Sequence, residues 1–452
     1  MASLLLAVIY LTFISLGLPD SLLGTAWPVM HADLAAPIAA QSLISIIISC
    51  CTIASSLLTA RLVHKLGTGK LTALSVALTA GAILGFSATN AFWQLCLIAI
   101  PYGLGAGAID SALNNYVALN YGARHMSWLH CCWGIGASVG PLVMGWALAG
   151  PLSWHAGYLA VGAIQAVITV VLLLSLPLWK SAGAGAARQG EGGADGHPAE
   201  SAAFDEEAER AENPGDREDT RLAVSPNGAE RADGIDSRST KRPDDPHDAG
   251  SPAPFLTNRE LLALPGARAA IGSFGFYCAM EGSIGLWIAS YLVMARGIDT
   301  ATAASIVAQF YLGITAGRLI SGFVAQWLTS ENQIRIGQAL IAIGLVGLFA
   351  LNGSVAAGAS ILLMGLGCAP IYPSIVALTP KRFGERASQG LVSLQMACAY
   401  AGSMLVPPVF GLVAGAGGAT LIPVMVAALL CANALLAERA TRKTSGARRS
   451  ES

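Results

Sequence analysis

The chain has 452 residues, 54% of them hydrophobic and only 12% charged, with a formal net charge of −1 and a mean hydropathy of +0.59. A soluble domain of this length has no use for so much apolar surface. The long apolar runs, each near the ~20 residues that cross a bilayer, identify an all-α polytopic membrane protein. Strands are excluded because the runs are apolar on every side instead of alternating.

In chain order, span 1 starts near Leu4 and continues through LGLPDSLLGTAWPVM, interrupted by Pro19, Asp20 and Pro28. No small-residue cleavage site follows it, so it reads as a membrane helix and not a removed leader. Span 2 covers 38–59, span 3 71–88, span 4 91–119, span 5 127–149 and span 6 153–179. Residues 181–257 carry most of the acids, few aromatics and no apolar periodicity, the composition of a disordered linker. The apolar pattern then restarts, with spans at 267–295, 301–328, 334–352, 355–378, 387–414 and 420–436. The expected organisation is a six-helix bundle over 1–180, a cytoplasmic linker over 181–257, a second six-helix bundle over 258–440 and a basic cytoplasmic tail over 441–452.

Topology follows from the basic residues. Arg61, Lys65 and Lys70 follow span 2, Arg124 follows span 4, Arg335 follows span 8, Lys381, Arg382 and Arg386 follow span 10, and five more bases follow span 12 from Arg439 to Arg449. The positive-inside rule places both termini and the linker in the cytoplasm of a cell-membrane protein. The nine cysteines fall mostly inside apolar runs and form no CxxC or His/Cys pattern, so they read as small packing residues and not as a zinc site.

The two halves echo each other. GIGASVGPLVMG (134–145) in span 5 and AGSMLVPPVFG (401–411) in span 11 both join a small-residue face to proline. Paired interruptions of this kind point to transporter halves that meet at a central site. Here the chain resembles the major facilitator superfamily. ARLVHKLGTGK (60–70) resembles that family's loop between spans 2 and 3, with Ala60 at its leading Gly and His64 at its Asp. Within the family, four stretches resemble the fucose permease-type sugar:proton symporters: Asp20 in span 1, Asp110-x-x-x-Asn114 in span 4, CAMEGSIGLW with Glu281 in span 7, and GLGCAPIYPSIVAL in span 10. His130 and Trp133 stand where that branch often has polar sugar-binding side chains. The resemblance implies about twelve spans in two pseudo-symmetric bundles that rock around a midplane cavity.

The residues able to carry chemistry follow from burial of charge. PYGLGAGAIDSALNNYVALN (101–120) places Asp110 and Asn114 four apart, on one helix face. Asp20, Asp110 and Glu281 are intramembrane carboxylates, costly to bury and therefore expected to face a cavity or a partner and to couple protons. Asn114, Asn115, His130, Gln309 and Gln395 are the candidate hydrogen-bonders to a polar solute, with Trp133, Trp287 and Tyr372 as stacking surfaces. Interhelical bonding and core packing are the competing roles for these residues. Arg318 is expected to pair with an acid or reach the headgroups, as a gating or structural residue alongside Arg61 and Lys65.

No phosphate loop, nucleophile elbow or metal motif points to an enzyme, a cofactor or a bound metal. The expected function is proton-coupled transport of a small polar solute, a sugar, by a monomer whose partners are its solute, protons and the bilayer, with no nucleic acid. Two alternatives stand beside it. The glycine–proline pattern of span 5 also resembles drug:proton antiporters, which would make the chain an exporter of hydrophobic compounds. A membrane sensor recruiting a partner through the linker is the other.

Overall fold

Two spans break beside a proline, at Pro19 and Pro370, while Pro28, expected to interrupt span 1, and Pro101, Pro141 and Pro177 lie inside helices that continue. The computed structural model describes residues 2–121, 123–191, 256–324 and 327–451, which are helical and contain no strand. Span 1 is two helices, α1 (Ala2–Asp20) and α2 (Leu22–Asp33), parted at Ser21 just after Pro19. Proline has no N–H to give the carbonyl four residues back. The freed Ser15 carbonyl accepts instead from Gln165 Nε2 at 2.7 Å. The same logic joins the break to its neighbour: Pro141 frees the Ala137 carbonyl, and Ser21 Oγ donates to it at 3.1 Å.

The remaining helices of the first half are α3 (Gln41–Leu66), α4 (Thr68–Ser87), α5 (Phe92–Asn120), α6 (Ala123–Leu148) and α7 (Ser153–Glu191). Thus α7 runs on into the stretch read as linker, and the rest of that stretch, 192–255, lies outside the described residues. The second half opens with the short helix α8 (Asn258–Ala263), capped by Thr257 and Glu260 in a capping box. The Thr257 backbone N–H and hydroxyl both donate to the Glu260 carboxylate and hold it below the usual carboxylate range.

Then come α9 (Ala267–Met294), α10 (Thr300–Val324), α11 (Ser330–Ala350), α12 (Ser354–Cys368), α13 (Ile371–Phe383), α14 (Glu385–Val413) and α15 (Ile422–Glu451). Span 10 is broken like span 1: α12 and α13 part at Ala369–Pro370, and Tyr277 donates to the Cys368 carbonyl at 2.8 Å. Among the described residues eleven helical segments are long and apolar enough to cross a membrane, and the last, 60 residues from Arg386 to Ser445, turns at Gly417 (φ 83°) and so makes two crossings. α15 continues to Glu451 through the stretch read as a basic tail.

The architecture is two pseudo-symmetric six-helix bundles. Span 1 packs on span 5, span 2 on span 4 and span 3 on span 4; their counterparts 7 on 11, 8 on 10 and 9 on 10 pack the same way. The halves touch through spans 5 and 8, 2 and 11, and 1 and 7. Gln41 donates to the Leu286 carbonyl at 3.0 Å, and a side chain on Gly411 would meet Ser42 Oγ at 2.9 Å. These contacts lie at the end of the bundle opposite the chain termini.

Candidate functional site

Both helix breaks deliver a candidate side chain to the middle of the bundle. Asp20 ends α1, and Tyr372 begins α13. Broken helices of this kind line binding sites, because irregular backbone at membrane depth survives only beside protein or a cavity.

The Asp20 carboxylate accepts from Trp133 Nε1 at 2.7 Å and from the Tyr102 hydroxyl at 3.2 Å. The face of the Trp133 ring takes the Arg318 guanidinium of the other half, its Cζ 5.4 Å from the centroid. Arg318 in turn lies 3.9 Å from Glu281, both side chains about one-fifth exposed. An unbroken chain of contacts therefore runs from Asp20 in one half, through Trp133 and Arg318, to Glu281 in the other. Tyr311 packs edge-on against Trp133 at 6.3 Å. Gly134, the residue after Trp133, lets Thr315 come against the helix backbone, where a Cβ would collide with it.

The pair expected on one face of span 4 is bonded: Asn114 Nδ2 donates to Asp110 Oδ1 at 2.9 Å. Asn114 Oδ1 is buried and has no protein partner. Asp110 lies within electrostatic reach of Tyr372 and Tyr400 of the other half, and of Asp20. Tyr102 is eight residues before Asp110 on α5, ~12 Å along the helix at 1.5 Å per residue, so Asp20, bonded to Tyr102, is the acid nearer the closed end.

The other sequence-selected residues divide. His130 is half-buried, edge-on to Phe13 at 6.0 Å and near Arg318. Tyr372 packs on Phe274 at 4.9 Å and its hydroxyl reaches Met396 Sδ at 3.4 Å. These two belong to the central cluster. Gln395 is buried away from it and accepts from Thr379 at 2.9 Å. Gln309 packs against Gly358 of α12, Asn115 is exposed off the Asp110 face, and Trp287 is buried with its Nε1 on the Pro407 carbonyl at 2.8 Å. Arg61 and Lys65 are exposed near the terminus-side end of α3.

Sequence reasoning missed Tyr102, Tyr311 and Tyr400. Two of them were within its reach. Tyr102 stands eight residues before Asp110 and Tyr311 seven before Arg318, spacings that keep each on the same helix stripe as the charge already noticed. Of the three carboxylates, Glu281 alone pairs with Arg318, Asp20 reaches it through the Trp133 indole, and Asp110 is bonded to Asn114. Among the described residues no group of three or more metal-ligating side chains comes together.

Residues 9–366 match the family model described as Major Facilitator Superfamily. No curated protein matches the chain. Among solved structures, the peptide transporter POT in complex with sulfate superposes with a TM-score of 0.66 at 13% identity, covering 97% of this chain and 95% of that one. The nucleoside transporter NupG gives 0.63 at 13% identity, covering 96% and 98%. A bacterial homolog of the human lysosomal transporter Spinster, inward-facing and occupied, gives 0.59 at 13% identity, covering 98% and 94%. At that identity the likeness is one of fold.

Proposed function

Because the chain belongs to the Major Facilitator Superfamily and is a membrane transporter, we propose that it carries a small neutral polar solute, a sugar, together with protons by alternating access. The observation that carries this reading is the excess of acid: Glu281 pairs with Arg318, while Asp20 and Asp110 lie within electrostatic reach of each other and, among the described residues, neither has a cation as ion-pair partner. An unpaired buried charge costs several kcal/mol. A centre with more carboxylates than cations relieves that cost by taking up a proton. Asp20 and Asp110 take and release it, while Glu281 stays with Arg318.

The solute class follows from the lining. Asn114 offers a buried acceptor without a partner, and Trp133, Tyr311, Tyr372 and Tyr400 offer ring faces and hydroxyls. Amide acceptors with aromatic faces suit a polyhydroxylated ring. The acids of spans 1, 4 and 7 support membership of the fucose permease-like branch. Both termini face the cytoplasm on the positive-inside rule, so the closed end is the outer one. The glycine–proline face of span 5 does not favour an exporter, since Gly136 and Gly140 are used against the backbone of α1.

The test is solute-induced proton movement with purified protein in liposomes, screening sugars and hydrophobic cations. Sugar-driven alkalinisation outside the vesicles that is lost in Asp110→Asn supports the reading. A response to hydrophobic cations alone, or coupling that persists in full in the variant, overturns it.

A further inference from the structure

Asp20 has a second neighbourhood, away from Arg318. It borders a cavity of about 110 Å³ whose polar lining is Asp20, Tyr102, Tyr158, Ser45 and Ser49. Asp20 has accessible surface although it lies mid-span. Ser45 and Ser49 are four apart on α3 and so share a face. Tyr158 is 1% exposed, and its buried hydroxyl has no protein partner. Buried hydroxyls left by the protein are met by water, and this volume has room for three or four waters at roughly 30 Å³ each.

The cavity also has a direction. Tyr158 is near the start of α7, Phe86 is at the end of α4, and Ser45 is near the start of α3. All three ends belong to the closed face of the bundle. One turn outward from Tyr158, His155 stacks on Trp154 at 3.5 Å, and Trp154 Nε1 donates to Asp33 at 2.8 Å. The chamber thus extends from Asp20 toward the side of the membrane opposite the termini.

We propose that this cavity, closed off by Leu286 of the second half, is a proton inlet: a water chamber through which Asp20 exchanges protons with the side opposite the termini while the two halves remain closed there to the solute. A solute needs the halves to part. A proton needs only a continuous chain of hydrogen bonds, and Tyr158, the chamber waters and Tyr102 supply one. A proton added at the outer water forms one O–H bond as the next water gives up another, and the last water's proton goes to an Asp20 oxygen. Charge is conserved and nothing is oxidised. Release reverses each step. The titratable groups facing Asp20 are Tyr102, Tyr311 and Asp110. The inlet rests on the reading of Asp20 as a proton carrier.

Two measurements separate the chamber from that reading. Hydroxyl-radical footprinting reports water beside buried rings: Tyr158 is labelled, while Tyr277, equally buried but bonded to the Cys368 carbonyl, is not. Infrared spectra of liposomes with the protein in one orientation, after a pH jump on the face opposite the termini, follow the carboxyl band missing in Asp20→Asn. Ser49→Leu fills the chamber and slows that band by at least about tenfold, the factor for losing one link of the chain. Tyr158→Phe slows it as well and serves if Ser49→Leu does not fold. An unlabelled Tyr158, or wild-type rates in both variants, overturns the inlet and leaves proton coupling standing. A labelled Tyr158 with no Asp20 band at any pH overturns the coupling reading, and the inlet with it.

Discussion

Gly24→Ala isolates the closure of the two halves. In the wild type, α2 and α9 touch so closely that a Cβ on Gly24 would lie 2.6 Å from the Gly285 carbonyl oxygen and 2.9 Å from that of Leu286. The first distance falls short of the 3.4 Å of ordinary contact by 0.8 Å, and both partners are backbone that cannot swing aside. Overpacking of this kind costs about 1–3 kcal/mol. The gain in helix propensity from alanine, about 1 kcal/mol, is present whether the halves are together or apart and cancels from the equilibrium between them. The variant therefore shifts the population away from the closed end by roughly 5- to 150-fold. The assay uses Ser42, 5% exposed against Gly411 of the other half. A Ser42→Cys substitution in a background lacking the other cysteines reacts with an impermeant thiol reagent when that end opens. Reaction should accelerate by the population factor in Gly24→Ala and stay unchanged in Gly81→Ala, where a Cβ meets nothing within 4 Å. Equal rates in Gly24→Ala and its parent would refute the contact as a brake on opening.

Trp133→Phe keeps a ring beneath Arg318 but removes the N–H on Asp20. A hydrogen bond to a charged group is worth about 1.5–3 kcal/mol, so sugar-driven proton uptake in liposomes should fall roughly tenfold or more with the thermal unfolding temperature little changed. Gln165→Leu leaves the Ser15 carbonyl freed by Pro19 without its donor, costing about 1–3 kcal/mol, read as a lower unfolding temperature in detergent. Asp299 caps α10, accepting from the Thr302 N–H at 2.9 Å, and the Thr302 hydroxyl and N–H together hold its carboxyl below the usual carboxylate range. Its contribution is complete above the unfolded value near ~3.9 and is lost as pH falls through the lower folded value. Asp299→Ala should therefore cost about 1 kcal/mol at neutral pH, with the gap to wild type narrowing in acid.

How much of this was legible depends on sequence distance. The spans were readable because a bilayer demands long apolar runs, and the Asp110–Asn114 bond because helix geometry brings residues four apart together. The break at Pro19 was readable as an interruption, whereas Pro28 lies inside an unbroken helix and the break at Pro370 fell within a span read as continuous. The consequence of the Pro19 break was not readable: the donor that repairs the Ser15 carbonyl is Gln165, 150 residues away, and nothing in a lone glutamine inside an apolar run announces that task. Gln395 and Gln309 look the same in sequence as Gln165, yet one meets a threonine and the other a glycine face. Tyrosines carry the same ambiguity. Tyr158 looks like any other tyrosine in the sequence until the fold sets it on the same cavity as Asp20.

The division of labour between the halves makes the Trp133 bridge more than a contact. On the proposed reading the first half holds Asp20 and the second holds Arg318, and the two meet through one indole. A ring that donates its N–H to a carboxylate is polarised so that its face is more negative, because hydrogen-bonded groups in a low dielectric polarise one another. The guanidinium is drawn to that face. An ionised Asp20 therefore strengthens the attraction between halves, and a protonated Asp20, a weaker acceptor, loosens it. Opening must also take Arg318 off the indole and leave Glu281 as its remaining partner at 3.9 Å. Proton uptake and separation of the halves thus act on the same side chain. This is why Trp133→Phe is expected to lose coupling while a ring remains in place to fill the space.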